Sequence, residues 1–287
     1  MVLGKYKSVV SARATDAEIL NYSQDGGIVT QLFTYALDEG IIDGAIVAGP
    51  GEVPWKPEPT VAWCKEDLLA AAGTKYNISP NMALIKEVTR SYGMDKVGIV
   101  GTPCQMQALR KGQLYPIGLR DVPDKIALAI GIFCMENFPH MGLESIVEDH
   151  CNVKLESASK MDIGKGKFTA YTNRGESSSI PLKYTHKYEQ PGCHVCLDYV
   201  ANLGDISTGS VGSPDGWSTV FVRSKKGDSI WEKAVAAGYF ETKDMSGVKP
   251  GLELVEKLAK EKIDKNKKFL EERASFGVGK GLRNPYL

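Results

Sequence analysis

The stretch KVGIVGTPCQMQALRKG (residues 96–112) decides the fold class, because it runs from a buried strand through a glycine turn into a helix. A second stretch, IALAIGIFC (126–134), is the strongest strand pattern in the chain. Earlier in the chain, short apolar runs alternate with helical patterns, as in YKSVVSA (6–12), GIVTQLFTYALDE (27–39) and GAIVAGP (44–50). This alternation predicts an α/β fold with a mainly parallel or mixed sheet flanked by helices.

The pattern changes after about residue 151, where strand-like pieces such as KFTAYTN (167–173) and STVFVRS (218–224) are separated by turns rich in glycine, serine and lysine. We therefore divide the chain into an α/β core, a smaller α+β part with a C-x-x-C motif, and a C-terminal helix and tail. The three segments are residues 1–150, 151–250 and 251–287. The charged helix of the last segment is a candidate for docking other subunits, and a solvated surface helix is the alternative.

Composition excludes several classes of protein. The chain has 287 residues, 43% of them hydrophobic, and its 35 basic and 35 acidic residues give a formal net charge of zero. A global electrostatic attraction to nucleic acid is therefore not expected. No apolar run approaches the length of a membrane span or of a secretory signal. We expect a cytoplasmic protein whose cysteines are reduced.

Four of the six cysteines have positions that suggest a metal site. Cys104 and Cys134 each follow an apolar strand, and the carboxyl ends of parallel strands line the ligand crevice of α/β sheets. Cys193 and Cys196 form a C-x-x-C pair in a flexible turn. Four thiolates hold either one cubane iron–sulfur cluster or one zinc ion. The scattered single cysteines favour the cluster, and zinc stays open.

The other two cysteines, Cys64 and Cys151, stand in WCKED and DHCNV, which offer neither a turn glycine nor a second cysteine. We expect both to be small buried residues. No Ser/His/Asp or paired-carboxylate arrangement is present, so no catalytic side chain is assigned. That absence fits redox chemistry that a cofactor performs.

Glycine-rich turns suggest a phosphate-bearing cofactor. SQDGGIVT (23–30) opens a helix with two glycines, and AAGTKYNIS (71–79) places a lysine and a tyrosine beside a glycine turn. Free N–H groups at such turns attract anions. GDISTGSVGSPDGW (204–217) follows the C-x-x-C pair and is either a cofactor loop or a surface loop. None of these is a G-x-G-x-x-G or Walker A motif, so the cofactor stays unnamed at this level.

Five segments resemble one known family and occur in its order. They are SQDGGIVTQLFTYALDEGIIDGAIV (23–47), GTKY (73–76), VGIVGTPCQMQALRK (97–111), IGIFCMENFP (130–139) and CHVCLDYVANLGDISTGSVG (193–212). Together they are similar to the beta subunit family of coenzyme F420-reducing hydrogenases, whose relatives include formate dehydrogenase beta subunits. The resemblance runs from about Ser23 to Trp217.

The resemblance implies one FAD, one 4Fe-4S cluster and coenzyme F420, a deazaflavin, as substrate. It implies that electrons come from a nickel-iron large subunit through an iron–sulfur small subunit. They would pass one at a time through the cluster to FAD and leave as hydride. The family's cysteines correspond to Cys104, Cys134, Cys193 and Cys196, which are thus the implied cluster ligands, with Cys64 as the substitute if one fails.

The resemblance also implies the cofactor-binding residues. We place the FAD phosphates near Ser23, Gly26 and Gly27, with Lys75 as counter-charge. The remaining expected cofactor contacts are Thr30, Gly73, Thr74, Tyr76, Gly101, Thr102, Pro103, Asp205, Ser207 and Gly209. Two alternatives stay open: a subunit that serves formate dehydrogenase or a related oxidoreductase, and a non-catalytic binding protein stabilised by zinc.

Overall fold

The computed structural model describes residues 2–115 and 123–275, so the tail of the predicted docking segment (276–287) lies outside the described residues. Eight strands form one large sheet. They are β1 (Ser8–Ala14), β2 (Gly44–Gly49), β3 (Glu58–Ala62), β4 (Val97–Gly101), β5 (Ile126–Ile132), β9 (Ile206–Gly209), β10 (Ser218–Val222) and β11 (Phe240–Asp244). Their spatial order is β11-β1-β10-β9-β5-β4-β2-β3.

The middle of this sheet is parallel and its edges are antiparallel. Strands β2, β4, β5 and β9 pair in parallel, whereas β3 on one side and β10, β1 and β11 on the other pair antiparallel. The predicted mixed sheet is therefore confirmed. Because β4 and β5 pair Gly101 with Gly131, both strands end at the same edge of the sheet.

Helices cover both faces of the sheet. The helices are α1 (Ala17–Tyr22), α2 (Ile28–Asp38), α3 (Lys65–Ala70), α4 (Ile85–Arg90), α5 (Pro103–Leu114), α6 (His140–Ser145), α7 (Lys225–Ala236) and α8 (Leu252–Ser275). On one face, Phe33 of α2 and Trp231 of α7 pack in a core with Leu128. On the other face, Met106 of α5 packs with Ile99. Successive residues of a strand point to opposite faces, so each central strand contributes to both cores.

A second sheet of three antiparallel strands stands apart from the first. It consists of β6 (Ala158–Gly164), β7 (Lys167–Thr172) and β8 (Ser177–Pro181), in that order. Its core is built from Phe168 and Met161 together with Phe138 and with Leu143 of α6. KFTAYTN is therefore a strand of a small sheet, as its position in the sequence suggested.

Strand β10, from STVFVRS, lies inside the large sheet between β1 and β9. All five of its residues are buried, as expected for a strand covered on both faces. The large sheet thus takes strands from both sides of residue 151, and the proposed domain boundaries stay predictions.

The C-terminal helix α8 packs against the body of the protein along one face. Val255 and Ala259 are fully buried and contact the core that contains Val200 and Phe221. In the part of the chain that the structure describes, no helix combines the length and the apolar character needed to cross a membrane.

Because β5 is a central strand, truncation of one of its buried side chains should strongly destabilise the fold. Leu128 is fully buried, so Leu128→Ala should lower the free energy of unfolding by about 2–5 kcal/mol. The exposed Leu114 at the end of α5 is the matched control, and Leu114→Ala should change stability by less than about 0.5 kcal/mol. Urea unfolding followed by circular dichroism measures both, and equal effects of the two substitutions would contradict this description of the core.

Candidate functional site

Parallel pairing brings Cys104 and Cys134 to the same edge of the sheet. Cys104 lies in the first turn of α5, three residues after β4 ends at Gly101. Cys134 lies two residues after β5 ends at Ile132. Because β4 and β5 are neighbouring parallel strands, both sulfurs lie at the carboxyl ends of these two strands.

The C-x-x-C pair joins them from a short 3₁₀ helix, Pro191–Val195. The backbone N–H of Asn137 donates to the Cys193 sulfur at 3.4 Å, and the Asn137 carbonyl accepts from the N–H of Gln190 at 2.8 Å. The N–H of Cys134 donates to the Tyr199 carbonyl at 2.9 Å. The loop after β5 and the loop of the C-x-x-C pair are therefore held together on both sides of the cysteines.

The four thiols lie close enough to influence one another. Burial raises the pKa of the Cys134 thiol, the positive charge of Lys262 opposes that rise, and the neighbouring Cys193, Cys104 and Cys196 thiols add to it. Burial likewise raises the pKa of Cys193, against the hydrogen bond from Asn137. The structure thus gathers all four cysteines singled out in the sequence; their role as ligands stays a prediction.

The remaining two cysteines lie elsewhere. Cys151 is buried in the core of the small sheet, where burial raises its pKa to about 11, as expected for a residue that fills space. Cys64 is exposed at the start of α3, so the expectation that it is buried was wrong. The reason is that β3, the strand before it, is the outermost strand at that edge of the sheet in the described part of the chain.

The turn between β4 and α5 is fixed by its own side chains. The N–H of Thr102 donates to Gln105 Oε1 at 3.0 Å, completing a capping box, and Pro103 occupies the first helical position. Thr102 Oγ1 lies 3.1 Å from the Cys104 sulfur. A Cβ at Gly101 would stand 2.8 Å from Gln105 Oε1, so this glycine allows the close turn. Three predicted contact residues therefore set the orientation of Cys104.

A cavity of about 570 Å³ opens between the Ser23 loop, α3 and the small sheet. Three lysines, Lys56, Lys75 and Lys160, line it, and none of its lining residues among those described is acidic. The rest of its wall includes the aromatic rings of Tyr22 and Trp55 and several prolines. Its size falls within the range of small-molecule sites, and its charge suits an anionic ligand with a flat apolar part.

Lys75, a residue of the cavity wall, caps the C-terminus of α3. Its Nζ donates to the carbonyls of Ala71 and Ala72, both at 2.6 Å, and of Gly73 at 3.1 Å. These are carbonyls at a helix C-terminus, where positive charge is favourable. Burial nevertheless lowers the pKa of Lys75 to about 8. The Lys75 ammonium is therefore easier to deprotonate than that of an ordinary lysine.

The other predicted cofactor contacts in this region divide into two groups. Ser23, Gly73 and Thr74 line the cavity together with Lys75. Tyr76 instead anchors the small sheet, because its ring packs on Phe168 and its hydroxyl accepts the N–H of Ile163 at 3.0 Å.

Gly26, Gly27 and Thr30 are engaged in the fold beside the cavity. The N–H of Gly26 donates to Ser218 Oγ at 3.1 Å, and a Cβ at this glycine would stand 2.6 Å from the Ala12 carbonyl oxygen. Gly27 has a φ of +69°, which favours glycine. Thr30 is buried in α2 and its carbonyl accepts from Thr34 Oγ1. The structure does not bring these three residues into the lining of the cavity.

Asp205, Ser207 and Gly209 lie along β9 and do not line the cavity either. The Asp205 carboxylate, at the amino end of β9, accepts from Ser224 Oγ at 2.7 Å and Arg110 at 3.1 Å. Ser207 accepts from Arg223 Nε at 2.7 Å. Gly209 packs directly on the ring of Phe133, next to Cys134. Among the three, Gly209 is the one at the edge where the cysteines meet.

Several residues at the site were missed by sequence reasoning. Trp55, Lys56 and Lys160 line the cavity, and the run PWKPEP (54–59) was a local signal, since prolines flank an aromatic and a lysine. Lys262 and Asn266 of α8 are buried against the cysteine loops. Their signal was a lysine and an asparagine on the apolar face of an amphipathic helix.

Family models match most of the chain. Residues 9–86 match the "Coenzyme F420 hydrogenase/dehydrogenase, beta subunit N-term" model, and residues 94–247 match the model of the same subunit's C terminus. The boundary between the two models falls before β4. Helix α8 lies outside both.

Individual proteins agree with the family models. The coenzyme F420 hydrogenase subunit beta of Methanosarcina barkeri is 66% identical, covering 99% of this chain and 98% of its own. That of Methanothermobacter thermautotrophicus is 56% identical, covering 97% and 99%. A chain in a structure of the F420-reducing nickel-iron hydrogenase complex from M. barkeri superposes with a TM-score of 0.96 at 66% identity, covering 100% of this chain and 98% of its own.

The lowered pKa of Lys75 predicts proton uptake when an anion enters the cavity. Burial lowers the pKa of Lys75 to about 8, and a bound phosphate would favour its charged form. Titration calorimetry of FAD, the cofactor that the resemblance implies, into protein from which any bound flavin has been removed should reveal uptake at about pH 8.5 and little at about pH 6.5, when buffers of different ionisation enthalpy are compared. Lys75→Met should abolish the buffer dependence and Lys86→Met, on the surface of α4, should keep it. Heats that do not depend on the buffer at the higher pH would contradict the assignment of Lys75.

Proposed function

The chain belongs to the coenzyme F420 hydrogenase/dehydrogenase beta subunit family of oxidoreductases, and we propose that it is the subunit that joins one-electron transfer to hydride transfer in a hydrogenase. It would bind one 4Fe-4S cluster and one FAD and would reduce coenzyme F420. The observation that carries the proposal is the convergence of four cysteines at one sheet edge, on a protein that also has a lysine-lined cavity.

The positions of the sulfurs favour a cluster over zinc. Four sulfurs around a zinc ion, each about 2.3 Å from it, would lie within about 4 Å of one another. Among the described residues, the group of potential ligand atoms that lies within 4.8 Å is that of Glu136, His186 and Glu189, and no three cysteine sulfurs are as compact. A cubane cluster binds each cysteine through a different iron and so needs a wider spacing.

The cavity suits the FAD that the family implies. Lys56, Lys75 and Lys160 supply positive charge for a diphosphate, while Trp55 and Tyr22 offer flat apolar surface. Lys75 is followed by Tyr76, whose carbonyl accepts from the N–H of Phe138 at 3.2 Å. Phe138 follows the Cys134 loop, so the cavity wall is joined by one hydrogen bond to the segment that carries a proposed cluster ligand.

When bound, the cluster would supply single electrons and FAD would collect two of them for transfer as hydride. The chain's own contribution is to bind and orient the groups. Thr102 and Gln105 fix the turn of Cys104, and Asn137 fixes the loop of Cys193. The lysines neutralise phosphate charge. Hydride transfer between the flavin and the deazaflavin needs no proton donor from the protein at their contact, so no catalytic side chain is proposed.

A hydrogenase is the proposed electron donor. The two curated relatives described above are hydrogenase subunits that this chain covers almost entirely, which favours hydrogen over formate as the source of electrons. The partners would be a nickel-iron large subunit and an iron–sulfur small subunit in the cytoplasm. Co-purification under anaerobic conditions identifies the donor, and a formate-oxidising partner would overturn this part of the proposal.

Metal and flavin analysis of anaerobically purified protein tests the proposal directly. We expect a brown protein with about four irons and one FAD per chain. Zinc without iron or flavin would contradict the proposal and would support the alternative of a zinc-stabilised binding protein.

Substitution of one cysteine separates the two cofactors. Cys193→Ser should lose the iron while FAD binding survives at least in part, because a serine hydroxyl rarely ionises to a metal ligand and the cavity does not include residue 193. Cys64→Ser is the matched control, since Cys64 is exposed at α3. Unchanged iron content in Cys193→Ser would remove Cys193 from the ligand set.

A further inference from the structure

Helix α8 carries two buried polar residues on its inner face. Lys262 and Asn266 are each 3% exposed and stand one helical turn apart. They continue the face that begins with the fully buried Val255 and Ala259. Burial of an ammonium group is costly unless its hydrogen bonds are satisfied, so a lysine at this position requires a structural reason.

The reason lies in the loops that carry the cysteines. Lys262 Nζ donates to the carbonyl of Cys134 at 2.6 Å and to that of Asp198 at 2.9 Å. Asn266 Nδ2 donates to the carbonyls of Cys193 at 2.8 Å and Cys196 at 2.6 Å. Two side chains of one helix thus hold the backbone of three of the four cysteines.

Lys262 is one of several charged groups beside the cysteine loops. The carboxylates of Asp198 and Glu136 are near enough to be influenced by it, and Asp198 is itself 3% exposed. One oxygen of Asp198, Oδ1, has no hydrogen-bond partner among the described protein atoms. Lys262 thus brings the positive charge of α8 to the thiols of Cys134 and Cys193, while Lys265 also acts on Glu136 and Arg223 also acts on Asp198.

We propose that Lys262 and Asn266 are positioning residues for the group bound by the four cysteines: Asn266 fixes the C-x-x-C loop, and Lys262 fixes the Cys134 loop and stabilises negative charge on the group. The identity of the group rests on the function proposed above. A buried positive charge favours the state that carries one more electron, so it raises the reduction potential. Partners of this kind orient ligands and tune a metal centre without binding the metal.

Reduction potential tests the role of Lys262. Lys262→Met should shift the midpoint of an electron paramagnetic resonance redox titration to a more negative value, and Lys262→Arg should restore it towards wild type. Lys260→Met removes the same charge from the exposed side of α8 and should leave the midpoint unchanged. An unchanged midpoint in Lys262→Met, with iron retained, would overturn the electrostatic role, and so would an equal shift in Lys260→Met.

The rate of iron release tests the role of Asn266. This measurement remains informative for a variant that holds the cluster only weakly. Asn266→Leu keeps a similar volume but leaves two buried carbonyls without donors. Loss of iron to a chelator should be about tenfold faster than in wild type or Lys260→Met. An unchanged rate would overturn the positioning role. If the wild-type protein holds zinc instead of iron, the proposed function fails, yet the same release assay with zinc still decides whether Asn266 holds the loop.

Discussion

Parallel alignment of β4 and β5 is the constraint on which the site depends. Their register pairs Gly101 with Gly131, so the residues that follow each strand emerge at one edge. Gly131 has a second role, because a Cβ there would stand 2.3 Å from the Cβ of Ala201. The segment after the C-x-x-C pair therefore packs directly against β5. This contact helps to position Cys193 and Cys196 relative to Cys104 and Cys134.

In both parts of the site, buried side-chain donors bind backbone carbonyls. Carbonyls of the cysteine loops accept from Lys262 and Asn266, and carbonyls at the end of α3 accept from Lys75. A buried lysine stabilises such a loop only while the acceptors stay in place, since an unpaired ammonium is costly to bury. The arrangement thus couples the order of the loops to the presence of a positive charge beside each proposed ligand site.

The small sheet lies on one side, at the cavity, and the long C-terminal helix lies on another, at the cysteine loops. Ser159 and Lys160 of β6 form part of the cavity wall, while α8 packs on the 3₁₀ helix of the C-x-x-C pair. The function proposed for the chain places flavin on the first side and the cluster on the second. Tyr76 hydrogen-bonds both to the small sheet and to the loop after β5, so the two sides of the site are structurally connected.

The amino-acid sequence was enough to establish the strand-turn-helix units and the positions of Cys104 and Cys134 after buried strands, because apolar periodicity and glycine turns are local properties. It also determined the mixed α/β class. Packing between distant segments placed β10 between β1 and β9, left Cys64 exposed, and brought Lys56, Lys75 and Lys160 to one cavity. It alone decided that Lys262 is buried, since its acceptors are carbonyls of residues far away in the chain. Such contacts depend on how distant segments pack, and no periodic pattern in the sequence encodes which backbone groups will meet.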